Sequence, residues 1–178
     1  GYGGVTAHWD HTLESLTLMA GLAAVTRRIE LFATVHPLLL HPAVAAKMLV
    51  TLDDISAGRA GLNVVTGWNK LEFSQMGLWP GDAYYGRRYA YAAEWLLVLK
   101  RLWQTGRATH QGEHFQLDDC ISQPRPRRSP PVVCAGMSEA GLRFTIEHCD
   151  YGFVGGGPVI GSLLERSREI ARELGRTA

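Results

Sequence analysis

Two patterns in the sequence predict an α/β fold built around a parallel sheet. Helical and strand-like segments alternate along the 178 residues in the order α-β-α-β-α-β-α-β-α. The helical segments repeat apolar residues every three or four positions, and the strands are short apolar runs bounded by turn residues. Such alternation is typical of parallel strands joined by right-handed crossovers. About four strands are clear, so the pattern fits either a doubly wound sheet or part of a (β/α)8 barrel, which typically has ~250 residues when complete.

The first half of the chain is predicted as helix, strand, helix and strand. A helix over residues 12–26 places Leu18, Leu22 and Val25 on one face, and a strand over residues 29–34 follows it. The second helix begins at Pro42, because the fixed φ of proline suits the first helical position, and it ends at Gly58. A second strand covers residues 59–66. The apolar face of the second helix is predicted to consist of Val44, Met48, Leu52 and Ile55.

The second half of the chain contains a long connection and three further helices. Residues 67–86 include Trp68, Trp79, Pro80 and Gly81, and a connection of this length inside a compact domain is usually functional. A strong helix is predicted over residues 87–103, with Tyr91, Trp95, Val98 and Leu102 on one face. The other predicted elements are a hairpin or extended excursion at 110–117, strands at 131–135 and 151–154, and helices at 139–148 and 160–174.

Composition excludes several classes of function. The net charge is +1, which provides no general attraction to nucleic acid or to an anionic membrane. No apolar run approaches the 18 residues that indicate a transmembrane helix. Cys120, Cys134 and Cys149 have neither CxxC nor metal-ligand spacing. We therefore interpret Cys134 as a small buried hydrophobe and expect a reducing, cytoplasmic location.

The most informative stretch is RAGLNVVTGW, from Arg59 to Trp68. It has the apolar pattern of a buried strand, yet Asn63 lies in the middle of it. An unpaired amide in an apolar environment costs on the order of 1–3 kcal/mol. Core packing alone therefore does not account for Asn63, whereas a ligand with hydrogen-bond donors and acceptors would.

The ends of the predicted strands indicate where a ligand would bind, since ligands of parallel α/β folds gather at the C-terminal ends of the strands. This rule selects residues 34–36, 63–68, 136–138 and 155–157. Ser138 opens a helix, where it is either an ordinary N-cap or part of a phosphate site. The segment Gly155 to Gly157 is either a plain turn or a phosphate-binding nest.

Charged residues elsewhere provide weaker signals. Arg88 and Tyr89 lie near the predicted start of a helix, where an arginine opposes the helix dipole and indicates an anionic partner. His8 and His11 lack a third metal ligand, so we expect no metal site, and we expect His36 and His41 to be hydrogen-bonded loop residues. The residues alone thus predict an apolar, tryptophan-lined pocket that suits a bulky, partly flat and phosphorylated cofactor.

Three segments resemble the bacterial luciferase-like flavin monooxygenases: WDHTLESLTLMAGLAAVTRRI, NVVTGWNKLEFSQMGLWPGDAYYGRRYAY and VVCAGMSEAG. The resemblance extends from about Gly1 to Phe153 and is closest to the pyrimidine monooxygenases of that family. It implies a TIM-type (β/α)8 barrel. Because the first two and the last strands of the family's barrel have no counterpart, we expect residues 1–178 to form a single domain, the central portion of that barrel.

The resemblance also implies a reaction and its residues. It implies reduced FMN, supplied by a separate NAD(P)H-flavin reductase, and O2 as co-substrate for oxidation of a small molecule; the pyrimidine enzymes open the uracil ring. It assigns the oxygen pocket to Thr34 and Asn63, with Trp68 nearby, where hydrogen-bond donors would stabilise negative charge. The FMN-contacting positions fall on Asn63, Glu72, Arg88, Tyr89 and Ser138.

Several alternatives remain open at the level of sequence. Val35-His36-Pro37 follows Thr34 where the family has small residues, which leaves the substrate open, and relatives with the same signature oxidise sulfones or alkanesulfonates. A non-catalytic flavin-binding protein is a different possibility, because part of a barrel exposes sheet edges that pair with another chain. Coenzyme F420 is disfavoured by the motif match to FMN users. We expect a homo-oligomer with no nucleic-acid or membrane partner.

Overall fold

A four-stranded parallel sheet forms the centre of the structure, a computed structural model that describes residues 11–154 and 157–176. The strands are β1 (Leu31–Val35), β2 (Ala60–Val64), β5 (Val132–Cys134) and β6 (Tyr151–Gly152), in the spatial order β1-β2-β5-β6. All three neighbouring pairs are parallel. The predicted α/β class with about four parallel strands is confirmed, and the sheet is open, with β1 and β6 at its two edges.

The helices connect these strands, and a small antiparallel sheet is inserted between β2 and β5. The helices are α1 (Ser15–Val25), α2 (Pro42–Ser56), α3 (Lys70–Ser74), α4 (Ala83–Thr105), α5 (Glu139–His148) and α6 (Ile160–Glu173). The antiparallel pair consists of β3 (Arg107–Gln111) and β4 (Gln116–Ile121), so the predicted excursion at 110–117 is a hairpin. None of the helices formed by residues 11–154 and 157–176 is long and apolar enough to cross a membrane.

The helix faces differ from the predicted apolar stripes. In α1, Leu18 and Val25 are exposed, whereas Leu16 and Ala23 are buried against α2 and β1. In α2, Val44 and Ile55 are exposed as well, and the buried face is built mainly from small or leucine side chains: Ala45, Ala46, Leu49 and Leu52. The predicted stripes were right for Leu52, which is buried, and for Leu22 and Met48, which pack against the core. They missed the alanines of α2, because α2 contacts three elements, α1, α4 and β2, and close contact favours small side chains.

The long connection is more ordered than predicted. It contains the short helix α3, and α4 begins at Ala83 instead of Arg87. Asp82 holds the connection together, because its carboxylate accepts hydrogen bonds from Lys70 Nζ at 2.6 Å and from Trp79 Nε1 at 3.3 Å. The Tyr84 hydroxyl donates to the Thr66 carbonyl at 2.7 Å, and burial raises the pKa of Tyr84. These contacts fix residues 67–82 against the end of β2.

Glu94 anchors the β3–β4 hairpin to α4. Its carboxylate accepts hydrogen bonds from the backbone N–H of Phe115 at 2.9 Å and of His114 at 3.1 Å, and it pairs with His110 Nε2 at 3.1 Å. Burial raises the pKa of Glu94, but these hydrogen bonds outweigh burial, and the pKa lies below its usual value. The ionised form is therefore the one that holds the hairpin.

Replacing Glu94 by glutamine should lower the free energy of unfolding by about 1–3 kcal/mol at pH 7, because hydrogen bonds to a charged acceptor are lost. Since the folded-state pKa of Glu94 is depressed, its contribution is full above the unfolded-state value of about 4.3 and is lost as the pH falls through the folded-state value. Thermal unfolding followed by circular dichroism between pH 7 and pH 3.5 checks this. Glu165→Gln, on the exposed face of α6, is the control. If Glu94→Gln lost the same free energy of unfolding at every pH, ionised Glu94 would not be what holds the hairpin.

Candidate functional site

A cavity of about 560 Å³ lies over the C-terminal ends of β1, β2 and β5. Each strand contributes its last residues or the loop that follows, and α4 closes one side. This is the end of a parallel sheet where binding sites occur. The lining includes six of the seven residues predicted for the site: Thr34, Asn63, Trp68, Arg88, Tyr89 and Ser138.

Thr34 and Asn63 form the centre of the cavity wall. They are directly paired in the parallel register of β1 and β2, so their side chains emerge side by side on one face of the sheet. Asn63 Nδ2 donates to Thr34 Oγ1 at 3.1 Å. The Thr34 backbone N–H donates to Ser15 Oγ at 2.7 Å, which ties the strand end to α1. The pair is thus held in place before any ligand binds.

Buried polar atoms without a hydrogen-bond partner concentrate at this cavity. Within residues 11–154 and 157–176 four such side-chain atoms occur: His36 Nδ1, Asp53 Oδ1, Asn63 Oδ1 and Arg88 Nε. Three of the four belong to residues that line the cavity. An unpaired buried polar atom costs about 1–3 kcal/mol, and native structures contain few of them. Polar atoms of three lining residues are therefore left without a hydrogen-bond partner among the described residues.

Arg88 provides positive charge on the α4 side. Its guanidinium lies 3.9 Å from the ring centre of Tyr85 and 4.6 Å from that of Tyr89, and Nη1 donates to the Tyr85 carbonyl. Because α4 begins at Ala83, Arg88 lies in its second turn, and the helix-dipole reason for suspecting Arg88 was wrong. The two aromatic rings hold the guanidinium instead, by cation–π contacts, and Nε is buried without a hydrogen-bond partner among the described residues.

The N-terminus of α5 faces the same cavity. Ser138 is its N-cap, and Ser138 Oγ accepts a hydrogen bond from Gly141 N at 3.2 Å. The remaining free N–H groups and the positive end of the helix dipole attract anions. Gly136 and Gly141 allow β5 and α5 to approach closely, since a Cβ on Gly141 would lie 2.8 Å from Gly136 Cα and 2.6 Å from Tyr89 Oη. Ser138 thus both caps the helix and lines the cavity.

Adding a methyl group at Gly141 should displace the start of α5. Because one of the atoms that a Cβ would meet is backbone, Gly141→Ala should cost about 1–3 kcal/mol of stability by overpacking and should weaken anion binding at Ser138. Gly161→Ala in α6 is the matched control, since no atom lies within 4 Å of its Cβ, and we expect it to be neutral or stabilising by about 0.5–1 kcal/mol. Chemical denaturation of both variants measures the difference; equal stabilities would contradict this account of Gly141.

Glu72 is not among the residues that line the cavity. It is half-buried in the first turn of α3, and its carboxylate acts on His36, where it raises the pKa. Burial of the His36 ring is the larger effect and lowers that pKa overall. Glu72 therefore acts electrostatically on a lining residue, His36, without lining the cavity itself. The Trp68 side chain lines the cavity and is largely exposed.

Cys134 ends β5 and also contributes to the lining. The prediction that it is buried is confirmed, with 3% of the residue exposed. Interactions with the Cys149 thiol, Thr145 and the backbone outweigh burial and hold the pKa of Cys134 below its usual value. The thiol is thus directed toward α5 and away from the strand face that carries Asn63.

Some residues that line the cavity could not be recognised as site residues from the sequence. Tyr85 and Met137 line the cavity and are about half exposed; tyrosine and methionine in a loop or first helical turn are unremarkable in sequence. His36 was noted only as a loop histidine near a strand end. Of the segment Gly155–Gly157, residues 155 and 156 lie outside the described residues, as does His8. No cluster of three or more metal-ligating side chains occurs within residues 11–154 and 157–176.

A protein-family model, described as luciferase-like monooxygenase, matches residues 1–178 of this chain. The chain belongs to the luciferase-like monooxygenase family. This confirms the resemblance seen in its motifs.

Curated relatives narrow the comparison within the family. A protein named pyrimidine monooxygenase RutA from Methylorubrum extorquens is 52% identical over 181 residues, which cover 99% of this chain and 50% of the relative. The RutA of Serratia proteamaculans is 56% identical over 153 residues, covering 86% of this chain and 42% of the relative. The chain thus spans about half the length of the curated relatives it matches.

Two solved structures share the fold of this chain. Riboflavin lyase RcaE, determined with modified FMN and its substrate riboflavin, superposes with a TM-score of 0.84 at 26% identity, over 94% of this chain and 42% of that one. The long-chain alkane monooxygenase LadA superposes with a TM-score of 0.83 at 26% identity, over 93% of this chain and 44% of that one. The four-stranded sheet is therefore the part of the family's barrel that this chain supplies.

Proposed function

We propose that this chain provides the FMN and oxygen site of a flavin-dependent monooxygenase that opens the ring of uracil or a related pyrimidine. The observation that carries the proposal is the cavity wall itself. One end of the cavity, at Arg88 and Ser138, suits an anion, and the other end carries the hydrogen-bonded pair Thr34–Asn63. Aromatic side chains also line the cavity: Trp68, Tyr85 and Tyr89. Membership of the luciferase-like monooxygenase family supports the choice of reaction. Relatives about 52% identical, which are named pyrimidine monooxygenase, support the choice of substrate.

The residues present fit FMN. A phosphate would be held by Arg88 and by the free N–H groups at the start of α5, next to Ser138. The exposed rings of Trp68 and Tyr85, with Tyr89 behind, suit a flat ring system. Asn63 Oδ1 is an unpaired buried acceptor that the N–H groups of a flavin ring would satisfy. Glu72 does not line the cavity and would act through its electrostatic effect on His36.

Bound reduced FMN supplies the electrons that activate O2, and the protein supplies position and electrostatics. Asn63 Nδ2 and the Thr34 hydroxyl lie 3.1 Å apart at the strand ends, where their dipoles stabilise negative charge that develops on oxygen. Trp68 would cover the reacting region and exclude water. In this proposal the Asn63 side chain has two roles: Oδ1 binds the flavin ring, and Nδ2 stabilises the negative charge on oxygen.

The remainder of the proposal follows the family resemblance. A separate NAD(P)H-flavin reductase delivers the reduced FMN, the protein forms a homo-oligomer in the cytoplasm, and residues 1–178 form one domain in the middle of the barrel. Dependence on the reductase is directly measurable, because chemically reduced FMN should replace NADH and the reductase in the assay.

The deciding experiment is oxygen consumption by the full-length protein with FMN, a flavin reductase, NADH and uracil, with uracil followed by mass spectrometry. Ring-opened product carrying an oxygen atom from 18O2 would support the proposal. Flavin reoxidation with uracil untouched would overturn the pyrimidine assignment, and dimethyl sulfone and an alkanesulfonate are the next substrates to test. FMN binding without any turnover would indicate the non-catalytic alternative.

Replacing Ser138 by alanine should weaken FMN more than riboflavin. The hydroxyl is next to the proposed phosphate site, and riboflavin lacks the phosphate. Loss of the N-cap also costs about 1 kcal/mol of stability, so the comparison of the two flavins, measured by fluorescence quenching, separates the two effects. Equal weakening of FMN and riboflavin would show that Ser138 acts only as a cap. Ser162→Ala in α6, whose hydroxyl contacts only the Val159 carbonyl, is the control.

A further inference from the structure

An ion-pair network joins α5 to α6 directly beside Ser138. Glu139 follows Ser138 in the chain and is the first residue of α5. Its carboxylate accepts two hydrogen bonds from the guanidinium of Arg166 in α6, from Nε to Oε2 at 2.8 Å and from Nη2 to Oε1 at 2.5 Å. A bidentate pair of this kind is stronger and more specific in geometry than a single contact. The carboxylate beside the proposed phosphate site is therefore held by another helix.

Glu139 depends on Arg166 more than on the other arginine of the network. Arg143, one turn further along α5, lies 3.7 Å from Glu139 but only 2.5 Å from Glu173. Arg166 also contacts two carboxylates of its own helix, Glu169 at 2.8 Å and Glu173 at 3.3 Å. Three carboxylates thus share two guanidinium groups. Loss of Arg166 would leave Glu139 with only the longer contact to Arg143.

An unpaired carboxylate at Glu139 would oppose binding of an anion at Ser138. The hydrogen bonds from Arg166 hold the pKa of Glu139 below its usual value, so this carboxyl group is ionised at pH 7. Two negative charges at neighbouring positions repel each other. A carboxylate in the first turn also competes with a bound anion for the positive end of the helix dipole. Pairing with Arg166 neutralises the Glu139 charge and directs it to α6.

We propose that Arg166 is a positioning residue for the anion end of the cavity, because it neutralises and holds the Glu139 carboxylate that would otherwise repel a phosphate at Ser138. This inference rests on the proposed function, in which the FMN phosphate binds at Arg88 and Ser138. Arg166 does not line the cavity and would not touch FMN. Its effect should be confined to the charged part of the cofactor, since riboflavin has no phosphate for Glu139 to repel.

A set of substitutions in α5 and α6 separates neutralisation of charge from tethering of the two helices. Arg166→Gln removes the guanidinium, Glu139→Gln removes the carboxylate, and the combined variant removes both. Arg172→Gln is the control, because it removes an exposed positive charge near the end of the same helix. The Kd of FMN and the Kd of riboflavin are measured for each full-length variant by fluorescence quenching at low and high salt. Thermal unfolding by circular dichroism shows which variants are folded.

We expect Arg166→Gln to raise the Kd of FMN about 3- to 10-fold at low salt, through repulsion by Glu139, and to leave riboflavin within about twofold. Added salt should reduce this difference from wild type, because screening weakens the interaction between exposed charges. The combined variant should bind FMN within about twofold of wild type, since the repelling carboxylate is gone. Arg172→Gln should change neither flavin affinity.

A purely structural role for Arg166 predicts different results. If Arg166 only tethers α6 to α5, the combined variant should bind FMN as weakly as Arg166→Gln does, and riboflavin should weaken as well; either result would overturn the proposal. An unchanged Kd of FMN in Arg166→Gln at low salt would also overturn it. A loss of folding that Arg166→Gln shares with the combined variant would assign Arg166 to the stability of the helix pair instead.

Failure of the proposed function has its own signature. If the full-length wild-type protein binds neither FMN nor riboflavin, the flavin proposal falls, and the inference about Arg166 falls with it. If wild type binds both flavins equally well, no phosphate site exists at Ser138, and the inference is lost for that reason. If wild type prefers FMN and oxidises uracil, and Arg166→Gln shares its FMN affinity, only the inference about Arg166 is wrong.

Discussion

Replacing Asn63 by alanine in the full-length protein should abolish most substrate oxygenation while FMN still binds. Asn63 Nδ2 contacts Thr34 Oγ1 at 3.1 Å, and Oδ1 is a buried acceptor without a partner. Removing one preorganised donor from a site where negative charge develops typically lowers kcat by about 10²–10³. The phosphate end of the cofactor site, at Arg88 and Ser138, is on other elements and remains in Asn63→Ala.

Two measurements on Asn63→Ala are needed. Fluorescence quenching determines the Kd of FMN, and product formation is compared with NADH consumption, so that flavin reoxidation without oxygen transfer is detected. Thr51→Ala is the control, because the Thr51 hydroxyl contacts only a carbonyl of its own helix, that of Lys47 at 3.1 Å. If Asn63→Ala turns over like wild type, Asn63 has no role in the oxygen step. A variant that has lost FMN altogether would place Asn63 mainly in cofactor binding.

Replacing Arg88 by methionine should weaken FMN by about 10- to 100-fold and leave riboflavin within about threefold. The guanidinium is held between Tyr85 and Tyr89, and its Nε is buried and unpaired. A charge-assisted hydrogen bond to an anion is worth about 1.5–3 kcal/mol, and each 1.4 kcal/mol is tenfold in affinity. Methionine retains an apolar stem against the two rings but provides no positive charge.

The neighbouring arginine provides a matched control for Arg88. The Arg87 guanidinium is directed to Glu113, 3.7 Å away, and both side chains are largely exposed, so Arg87→Met should change neither flavin affinity. The FMN affinity of wild type should fall with added salt more steeply than that of Arg88→Met, because screening weakens the interaction with a charged partner. Equal effects of Arg87→Met and Arg88→Met would assign the loss to net charge and contradict the assignment of the phosphate to Arg88.

The open sheet explains why some surfaces near the site are apolar. Tyr151 and Phe153 at the β6 edge are mostly exposed, and β1 and β6 are the two edge strands of the parallel sheet. Unpaired sheet edges with apolar residues are uncommon in stable isolated domains. Because this chain spans about half the length of its curated relatives, these edges are the positions where the rest of a luciferase-like barrel would continue.

Much of the fold and of the candidate site was predictable from local patterns. Alternating periodicities identified every strand of the parallel sheet, and the motif match placed Thr34, Asn63, Arg88 and Ser138 at one site. Asn63 could be selected from the residues alone, since an amide inside an apolar strand needs a partner. The buried faces of α1 and α2 were not predictable in this way, because both faces are set by which neighbours the helices contact and how closely.

The sequence by itself determined the fold class, the family and the residue types at the strand ends, because strand and helix periods and short motifs are local properties of a chain. Only the tertiary structure decided which polar atoms are unpaired, since that depends on contacts between elements far apart in sequence. It joined Asn63 to Thr34 across two strands, held Arg88 against two aromatic rings and left His36 Nδ1 without a hydrogen-bond partner. Hydrogen-bond satisfaction is a property of the packed molecule, so it cannot be read from local sequence patterns.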